Sequence, residues 1–105
     1  MVGGRARVRP PRQVSQDPEA WPDRPQAEPG VEAVRQISAA LRAALAERGW
    51  SLRRLAAVSG VNRQAIANLL AGDSWPDVAT VARLNAALDA GLWPDMNAAD
   101  RIAGH

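Results

Sequence analysis

Three copies of the triplet Trp-Pro-Asp, beginning at Trp21, Trp75 and Trp93, are the first feature of this 105-residue sequence that could do chemistry. An aspartate on such a loop could act as a general acid beside a cysteine thiolate that attacks a phosphate ester. The sequence contains no cysteine, and no other nucleophile accompanies a base and an orienting group. Composition therefore excludes this phosphatase chemistry, disulfides and thiolate metal sites.

No other pattern indicates catalysis or metal binding. Paired carboxylates, a cluster of metal ligands and a phosphate-cradling glycine loop do not occur at a spacing that the chemistry requires. The single histidine, His105, is the last residue, and a lone terminal histidine is more often a frayed end than a ligand. We expect no catalytic residue, no metal site and no cofactor.

A second candidate set consists of Arg63, Gln64 and Asn68, whose side chains could read DNA bases. Glutamine and asparagine can pair with adenine through two hydrogen bonds, and arginine can pair with guanine. At about 100° per residue, Gln64 and Asn68 lie opposite Ile66 and Leu69 on a helix, with Arg63 at the flank. A solvated helix face is the alternative interpretation.

Helical periodicity from Val31 onward predicts the elements that hold these side chains. A first amphipathic helix is expected from Val31 to Gly49, where glycine can adopt a left-handed conformation. Its predicted inner stripe is Val34, Ile37, Leu41 and Leu45, and its predicted outer face includes Arg35, Ser38, Arg42 and Glu47.

Residues 51–72 predict two short helices joined by a tight turn. Ser51 and Asn62 are good N-cap residues, while Gly60 and Gly72 can end the helices that follow them. Two short helices joined so tightly must cross steeply. The expected helices are 52 to about 58 and 63–71.

A fourth helix is expected to begin after Asp77, which can accept a hydrogen bond near Thr80. Gly91 is predicted to end this fourth helix, and Asp95 is predicted to cap a last short helix. The inner stripe of the fourth helix is expected to be Val78, Val81, Leu84 and Leu88, and the last helix is expected to contain Met96 and Ile102. Trp50 and Trp93 are expected to pack at helix boundaries.

The N-terminal arm, residues 1–30, differs in composition from the rest. Residues 1–12 carry four arginines and no acid, and six of the eight prolines lie in 10–29. With almost no large apolar residues, this arm is expected to be disordered or extended. The predicted fold is therefore an all-α bundle of four to five helices over residues 31–105, containing a helix-turn-helix and preceded by a disordered arm.

The run "SLRRLAAVSGVNRQAIANLLAG", together with the flanking helices from about Ile37 to Leu88, resembles the Cro and phage-repressor (XRE) family of helix-turn-helix regulators. The resemblance implies that helix 63–71 enters the major groove and that Arg63, Gln64 and Asn68 read bases. It also implies backbone contacts around the unit, from Ser51, Arg53, Arg54, Asn62 and Trp75. For Trp75, packing of the indole is the favoured alternative. The family commonly has a phosphate-binding glutamine where this chain has Leu52, so Arg53 or Arg54 would replace that contact.

These observations predict a sequence-specific DNA-binding transcriptional regulator, with repression as the expected mode. Residues 33–83 carry seven arginines against three acids, a local excess that favours double-stranded DNA. A homodimer on two-fold DNA is expected because one module makes few contacts. An antitoxin or adaptor that binds a protein partner through the arm is the alternative. No apolar run is long enough to cross a membrane, so a cytoplasmic, nucleoid-associated protein is expected.

Overall fold

The computed structural model describes residues 9–97 of the chain. Within this range the protein is all-helical, as the sequence predicts, with five α-helices and one 3₁₀ turn. The helices are α1 Pro11–Val14, α2 Pro29–Arg48, α3 Leu52–Ser59, α4 Arg63–Ala71 and α5 Val78–Leu88, and the 3₁₀ turn is Pro18–Ala20. No helix among these residues is both long and apolar enough to span a bilayer.

Helix α2 forms the long back of the bundle and confirms the predicted first helix. It begins two residues earlier than expected, at Pro29, because Glu28 accepts a hydrogen bond from the backbone N–H of Val31 at 2.9 Å. It ends where predicted, with Gly49 in the left-handed conformation at φ 65°. Its apolar stripe packs against α4 and α5 and supplies much of the core.

The outer face predicted for α2 is wrong at Ser38. This side chain is 0% exposed, and its hydroxyl donates to the backbone carbonyl oxygen of Leu69, at 2.7 Å. The contact satisfies a buried hydroxyl and ties α2 to the last turn of α4. Helical periodicity places a polar residue such as Ser38 on the outer face. A small polar residue can nevertheless lie inside a core when its hydroxyl reaches a carbonyl oxygen on the facing helix.

Helices α3 and α4 confirm the predicted helix-turn-helix, and the turn between them contains Gly60 at φ 76°. Leu55 and Ile66 are fully buried where α3 and α4 pack together, and Val61 fills the space near the turn. Helix α5 closes the bundle by packing against α3 and, to a smaller extent, α2. The helix-turn-helix unit is therefore supported from both sides.

Helix α5 begins as predicted, since Asp77 accepts a hydrogen bond from the Thr80 N–H at 2.7 Å. Two other predictions for this helix are wrong. Val78 is 72% exposed, because it lies in the first turn beyond the packed stripe, and the helix ends at Leu88 instead of Gly91. Asp89 takes the left-handed conformation at φ 49°, a conformation that aspartate tolerates better than most residues.

The docked segment, residues 9–28, lies against the helical bundle, although the sequence predicted a disordered or extended arm there. Pro11 and Pro22 are buried, and Trp21 packs on the hydrophobic core. The Arg12 N–H donates to the carbonyl oxygen of Gly72 at 2.9 Å. Prolines lose little conformational entropy on folding, and one tryptophan adds a large apolar contact, which together offset the low apolar content.

Ion pairs also hold the docked segment. Asp23 contacts the Arg42 guanidinium on α2, and Arg35 donates to the Pro22 carbonyl oxygen at 3.1 Å. Arg35 also pairs with Glu32 at 2.8 Å, and both side chains are largely buried. Arg35 and Arg42, predicted on the outer face of α2, connect this helix to the segment that precedes it.

The last predicted helix lies mostly outside the described residues. Asp95 does accept a hydrogen bond from the Asn97 N–H at 3.1 Å, as a capping residue would. Trp93 was expected to pack but is 48% exposed. The residue before it, Leu92, is the one that is buried in the core after α5.

Candidate nucleic-acid interface

Helix α4 carries the predicted base-reading residues, and its orientation is fixed at both ends. At its start, the Asn62 side chain accepts hydrogen bonds from the N–H groups of Gln64 and Ala65, at 2.7 and 3.3 Å. Along its length, Ile66 and Leu69 are buried in the core. The opposite face of the helix is therefore directed outward.

Arg63, Gln64 and Asn68 all lie on this outward side of α4. Arg63 and Gln64 are exposed, and Asn68 is half-buried. Gln64 Nε2 donates to Asn68 Oδ1 at 3.0 Å, so the two amides are joined one helical turn apart. This hydrogen bond leaves the side-chain oxygen of Gln64 and the second N–H of the Gln64 amide group free to meet a base edge.

A shallow groove separates the N-terminal ends of α3 and α4. It is lined by Ser51, Leu52, Arg53, Arg63, Gln64 and Ala67. The structure thus brings Ser51 and Arg53 together with Arg63 and Gln64, although these residues come from two helices. The N-terminal, positive ends of both helix dipoles lie beside this groove, which favours an anion.

Some of the predicted backbone-contact residues have other partners. The Ser51 hydroxyl accepts from the Arg54 N–H at 3.1 Å and caps α3. The Arg54 guanidinium lies 4.6 Å from the centre of the half-buried Trp50 ring, in a cation–π contact. The Asn62 amide oxygen accepts hydrogen bonds as the cap of α4, and its amide nitrogen is the group that could donate to a phosphate.

Trp75 lies at the other end of α4, away from the groove between the helix N-termini. Its indole is 41% exposed, and its N–H donates to the Arg9 carbonyl oxygen at 2.8 Å. The sequence favoured packing of this indole, with an N–H contact to a phosphate as the alternative, and did not identify Arg9 as its partner. Asp77 follows in the same loop, and the Thr80 N–H that it binds lowers the pKa of its carboxyl group.

The sequence missed the contacts around Gly72, which ends α4 at φ 76°. A Cβ at this position would lie 2.6 Å from Trp21 Cε2 and 2.7 Å from Arg12 Cβ. The docked segment therefore packs directly against the backbone that leaves α4. Trp21, an isolated large aromatic residue in a proline-rich stretch, was the only signal of this packing.

The profile of a helix-turn-helix family matches residues 41–92, which include α3, the turn, α4 and α5. No curated protein and no solved structure matches the chain. The match covers the same helices as the Cro and phage-repressor pattern in the sequence. Residues 41–92 of the chain belong to this family, the XRE-type helix-turn-helix DNA-binding regulators.

Proposed function

We propose that this protein is a sequence-specific transcriptional regulator that reads the major groove with α4 and acts as a repressor. The observation that carries the proposal is the outward face of α4, where Gln64 and Asn68 are joined by a hydrogen bond and Arg63 stands exposed beside them. Amide and guanidinium groups are the side chains that pair with adenine and guanine edges.

Within this proposal Gln64 and Asn68 act as one reading unit. Gln64 presents an acceptor and a donor to adenine, while Asn68 holds the Gln64 amide in place through their 3.0 Å hydrogen bond. Arg63 reads guanine from the flank. Coupled side chains of this kind give non-additive effects, so the double variant should lose about as much specificity as Gln64→Ala alone.

The groove between the helix N-termini provides the proposed contacts to the DNA backbone. Arg53 and Arg63 both line it, and Ser51 and Asn62 lie at the adjacent helix starts. Such contacts fix the register of the protein on the duplex without reading sequence. Arg54 contributes less, because leaving the Trp50 ring would break a cation–π contact.

We further propose that the protein binds as a homodimer to a two-fold site inside the cytoplasm. One module of this size makes too few contacts for tight recognition, and a two-fold dimer doubles them. Trp93 and Met96 are the proposed contact residues, since both remain about half exposed at one end of the bundle.

An adaptor or antitoxin role through the N-terminal arm is less well supported. Its motivation was a disordered, proline-rich arm that folds on a partner. Residues 9–28 instead fold on their own domain, through the buried Pro11 and Pro22 and the packed Trp21. This surface is therefore already used within the chain.

Selection of bound sequences from a random DNA pool tests the proposal directly. A two-fold motif should be enriched, with half-sites about 10 base pairs apart. Gln64→Ala should relax the preference at particular base pairs, whereas Arg53→Ala should weaken binding to all sequences and reduce its salt dependence. Equal effects of these substitutions on selected and unselected DNA would contradict the assignment of the base-reading residues.

A further inference from the structure

The docked segment meets the helical bundle at Gly72, the residue where α4 ends. The Arg12 N–H donates to the Gly72 carbonyl oxygen at 2.9 Å, which is a hydrogen bond between two backbone groups. A Cβ on Gly72 would lie 2.6 Å from Trp21 Cε2 and 2.7 Å from Arg12 Cβ, so the docked segment fills the space beside this residue. The backbone that leaves α4 is therefore enclosed by residues from a distant part of the chain.

The packing of Trp21 holds its ring at this place. Trp21 packs against the hydrophobic core, while its indole N–H is buried without a hydrogen-bond partner in the described part of the chain. A buried N–H without a partner costs free energy, so the apolar contacts of the ring must offset this cost. The ring, and not a polar contact, therefore fixes where Trp21 lies beside Gly72.

The residues that directly follow Trp21 anchor the docked segment on α2. Asp23 pairs with Arg42 of this helix, and Arg35 of the same helix donates to the Pro22 carbonyl oxygen at 3.1 Å. One short stretch of chain thus joins the side of α2 to the end of α4. Because these contacts adjoin the indole ring, α2 holds the ring in its place.

The docked segment adds a third support to α4. This helix packs chiefly against α2 and α3, and Ser38 of α2 holds its last turn through the Leu69 carbonyl oxygen at 2.7 Å. Crossing angles of packed helices vary by about 15 to 20° around their preferred values, so two neighbouring helices alone do not fix the angle of α4 closely. A third contact at Gly72, beyond the last turn, narrows this range.

A small tilt of α4 would be enough to disturb base reading. With Asn62 as the pivot at the start of the helix, Asn68 lies about 9 Å along the axis, and a tilt of about 10° moves it by about 1.5 Å. Hydrogen bonds to a base edge require donor–acceptor distances of about 2.7 to 3.2 Å, a range much narrower than this displacement. Arg63 lies beside the pivot and would move little. Loss of the third support should therefore disturb the Gln64–Asn68 pair more than Arg63.

We propose that Trp21 and Arg12 are positioning residues for DNA recognition, which hold the end of α4 through Gly72. They keep the helix at the angle at which Gln64 and Asn68 reach the bases. The proposal rests on the proposed DNA-binding function, and it adds a control of sequence specificity by residues that do not touch DNA.

The test compares two affinities of the full chain, one for a duplex with the motif recovered from the random pool and one for a mixed-sequence duplex. The ratio of the two affinities is the specificity, measured for the unaltered chain, for Trp21→Ala and for Trp21→Phe, which keeps a ring at this place. Leu88→Ala is the control, because it truncates a core side chain of α5, 2% exposed, outside the docked segment. Circular dichroism shows that each variant is folded at the temperature of the binding measurement.

Trp21→Ala should lower the affinity for the motif by about tenfold, which is the worth of about one base contact. Its affinity for the mixed-sequence duplex, and the salt dependence of that affinity, should stay unchanged because no phosphate contact is lost. Within the motif, the preference at the base pair read by Gln64 should weaken more than the preference at the base pair read by Arg63. Trp21→Phe should restore most of the specificity, and Leu88→Ala should retain it.

Three results would overturn the positioning role. An equal loss of specificity in Leu88→Ala would make general destabilisation the cause. Unchanged specificity in Trp21→Ala would mean that the angle of α4 does not depend on the docked segment. A shallower salt dependence in Trp21→Ala would mean that the docked segment contacts phosphates directly.

Gly72→Ala reaches the same contact from the other side, and it decides the case if Trp21→Ala does not fold. The added methyl group would overlap Trp21 and Arg12. Gly49→Ala is the matched control, since it also places alanine in a left-handed conformation, at φ 65° against 76°, but its Cβ meets no atom within 4 Å in the described part of the chain. Only Gly72→Ala should lower the specificity.

Equal specificities for the two glycine variants would overturn the positioning role alone. Failure of the unaltered chain to bind DNA, or to prefer any motif over mixed sequence, would overturn the proposed function, and the positioning role with it.

Discussion

The two ends of α4 are held by different kinds of interaction. At its N-terminal end, Asn62 caps the helix through hydrogen bonds to residues two and three positions later. At its C-terminal end, Gly72 is covered by Arg12 and Trp21, which lie about fifty to sixty residues earlier in the chain. One end is thus held by a neighbouring residue alone, whereas the other is ended by a local glycine and is also covered by a distant segment.

This difference explains why the helix-turn-helix unit was predictable and the docked segment was not. A capping asparagine or a helix-ending glycine acts within one turn, so the sequence carries the whole signal. Contacts of the docked segment depend on a tertiary arrangement that no local pattern encodes. The same contrast can be tested by substitutions at each end of α4.

Trp21→Ala should have the largest effect on the docked segment. The indole packs on the core and on Gly72, and truncation of a core tryptophan costs about 3 kcal/mol or more. Urea denaturation, followed by far-ultraviolet circular dichroism, measures the free energy of unfolding. Trp21→Phe should lower the free energy of unfolding much less. The buried indole N–H lacks a partner in the described part of the chain, so its removal offsets part of the loss. Equal losses for the two variants would contradict this account.

Gly72→Ala should destabilise the protein more than Gly60→Ala. Both glycines have φ 76°, so each substitution places alanine in a left-handed conformation, at a cost of about 1 kcal/mol. Of these two glycines, only Gly72 has atoms within 4 Å of an added Cβ, and the closest of them lies at 2.6 Å. Overlap of this kind should add about 1 to 2 kcal/mol in urea denaturation.

A double variant separates the two contributions at Gly72. Trp21→Ala removes the ring that an added Cβ at residue 72 would meet. In this background, the loss of stability caused by Gly72→Ala should approach the loss caused by Gly60→Ala. Arg12 Cβ remains at 2.7 Å, so some excess should persist. An unchanged excess would mean that the contact with Trp21 is not its cause, and that overlap with Arg12 or strain in the loop backbone is.

The local signals in the sequence were sufficient for most of the fold. Ser51, Asn62 and Asp77 all cap the helices that they were predicted to cap. The errors lie where a residue's role depends on what faces it: Ser38 is buried because the Leu69 carbonyl oxygen is opposite. For the candidate site, helical geometry placed Gln64 and Asn68 on one face, but a single sequence could not reveal that Trp75 holds Arg9.

Asn62→Ala should have a moderate effect, confined to the N-terminal end of α4. Loss of the cap leaves two backbone N–H groups without their acceptor and should cost about 1 kcal/mol. Asn62→Asp retains an acceptor oxygen and should preserve most of the stability. Hydrogen exchange should be faster in the first turn of α4, while the amide of Arg12 in the docked segment remains protected. Faster exchange at both ends would show that they are not independent.

Lowering the pH should weaken the attachment of the docked segment through Glu32. Partial burial alone would raise the pKa of this carboxyl group, but hydrogen bonds from Arg35, the Gln26 N–H and Gln36 lower it to about 2. A pKa lowered from 4.5 means that the folded state favours the carboxylate. Its stabilising contribution is complete above about pH 4.5 and is lost as the pH falls toward 2.

Glu32→Gln tests this sign, because glutamine cannot ionise. The urea midpoint of the variant should be lower than that of the unaltered chain at pH 7, and the gap should narrow between about pH 4.5 and 2. Glu47→Gln, on the exposed face of α2, is the matched control and should change the midpoint little. Since Glu32 joins Gln26 in the docked segment to Arg35 in α2, acid should loosen that segment before it disturbs the cap of α4. A constant gap across this pH range would mean that Glu32 stabilises the segment through its shape and hydrogen bonds, and not through its charge.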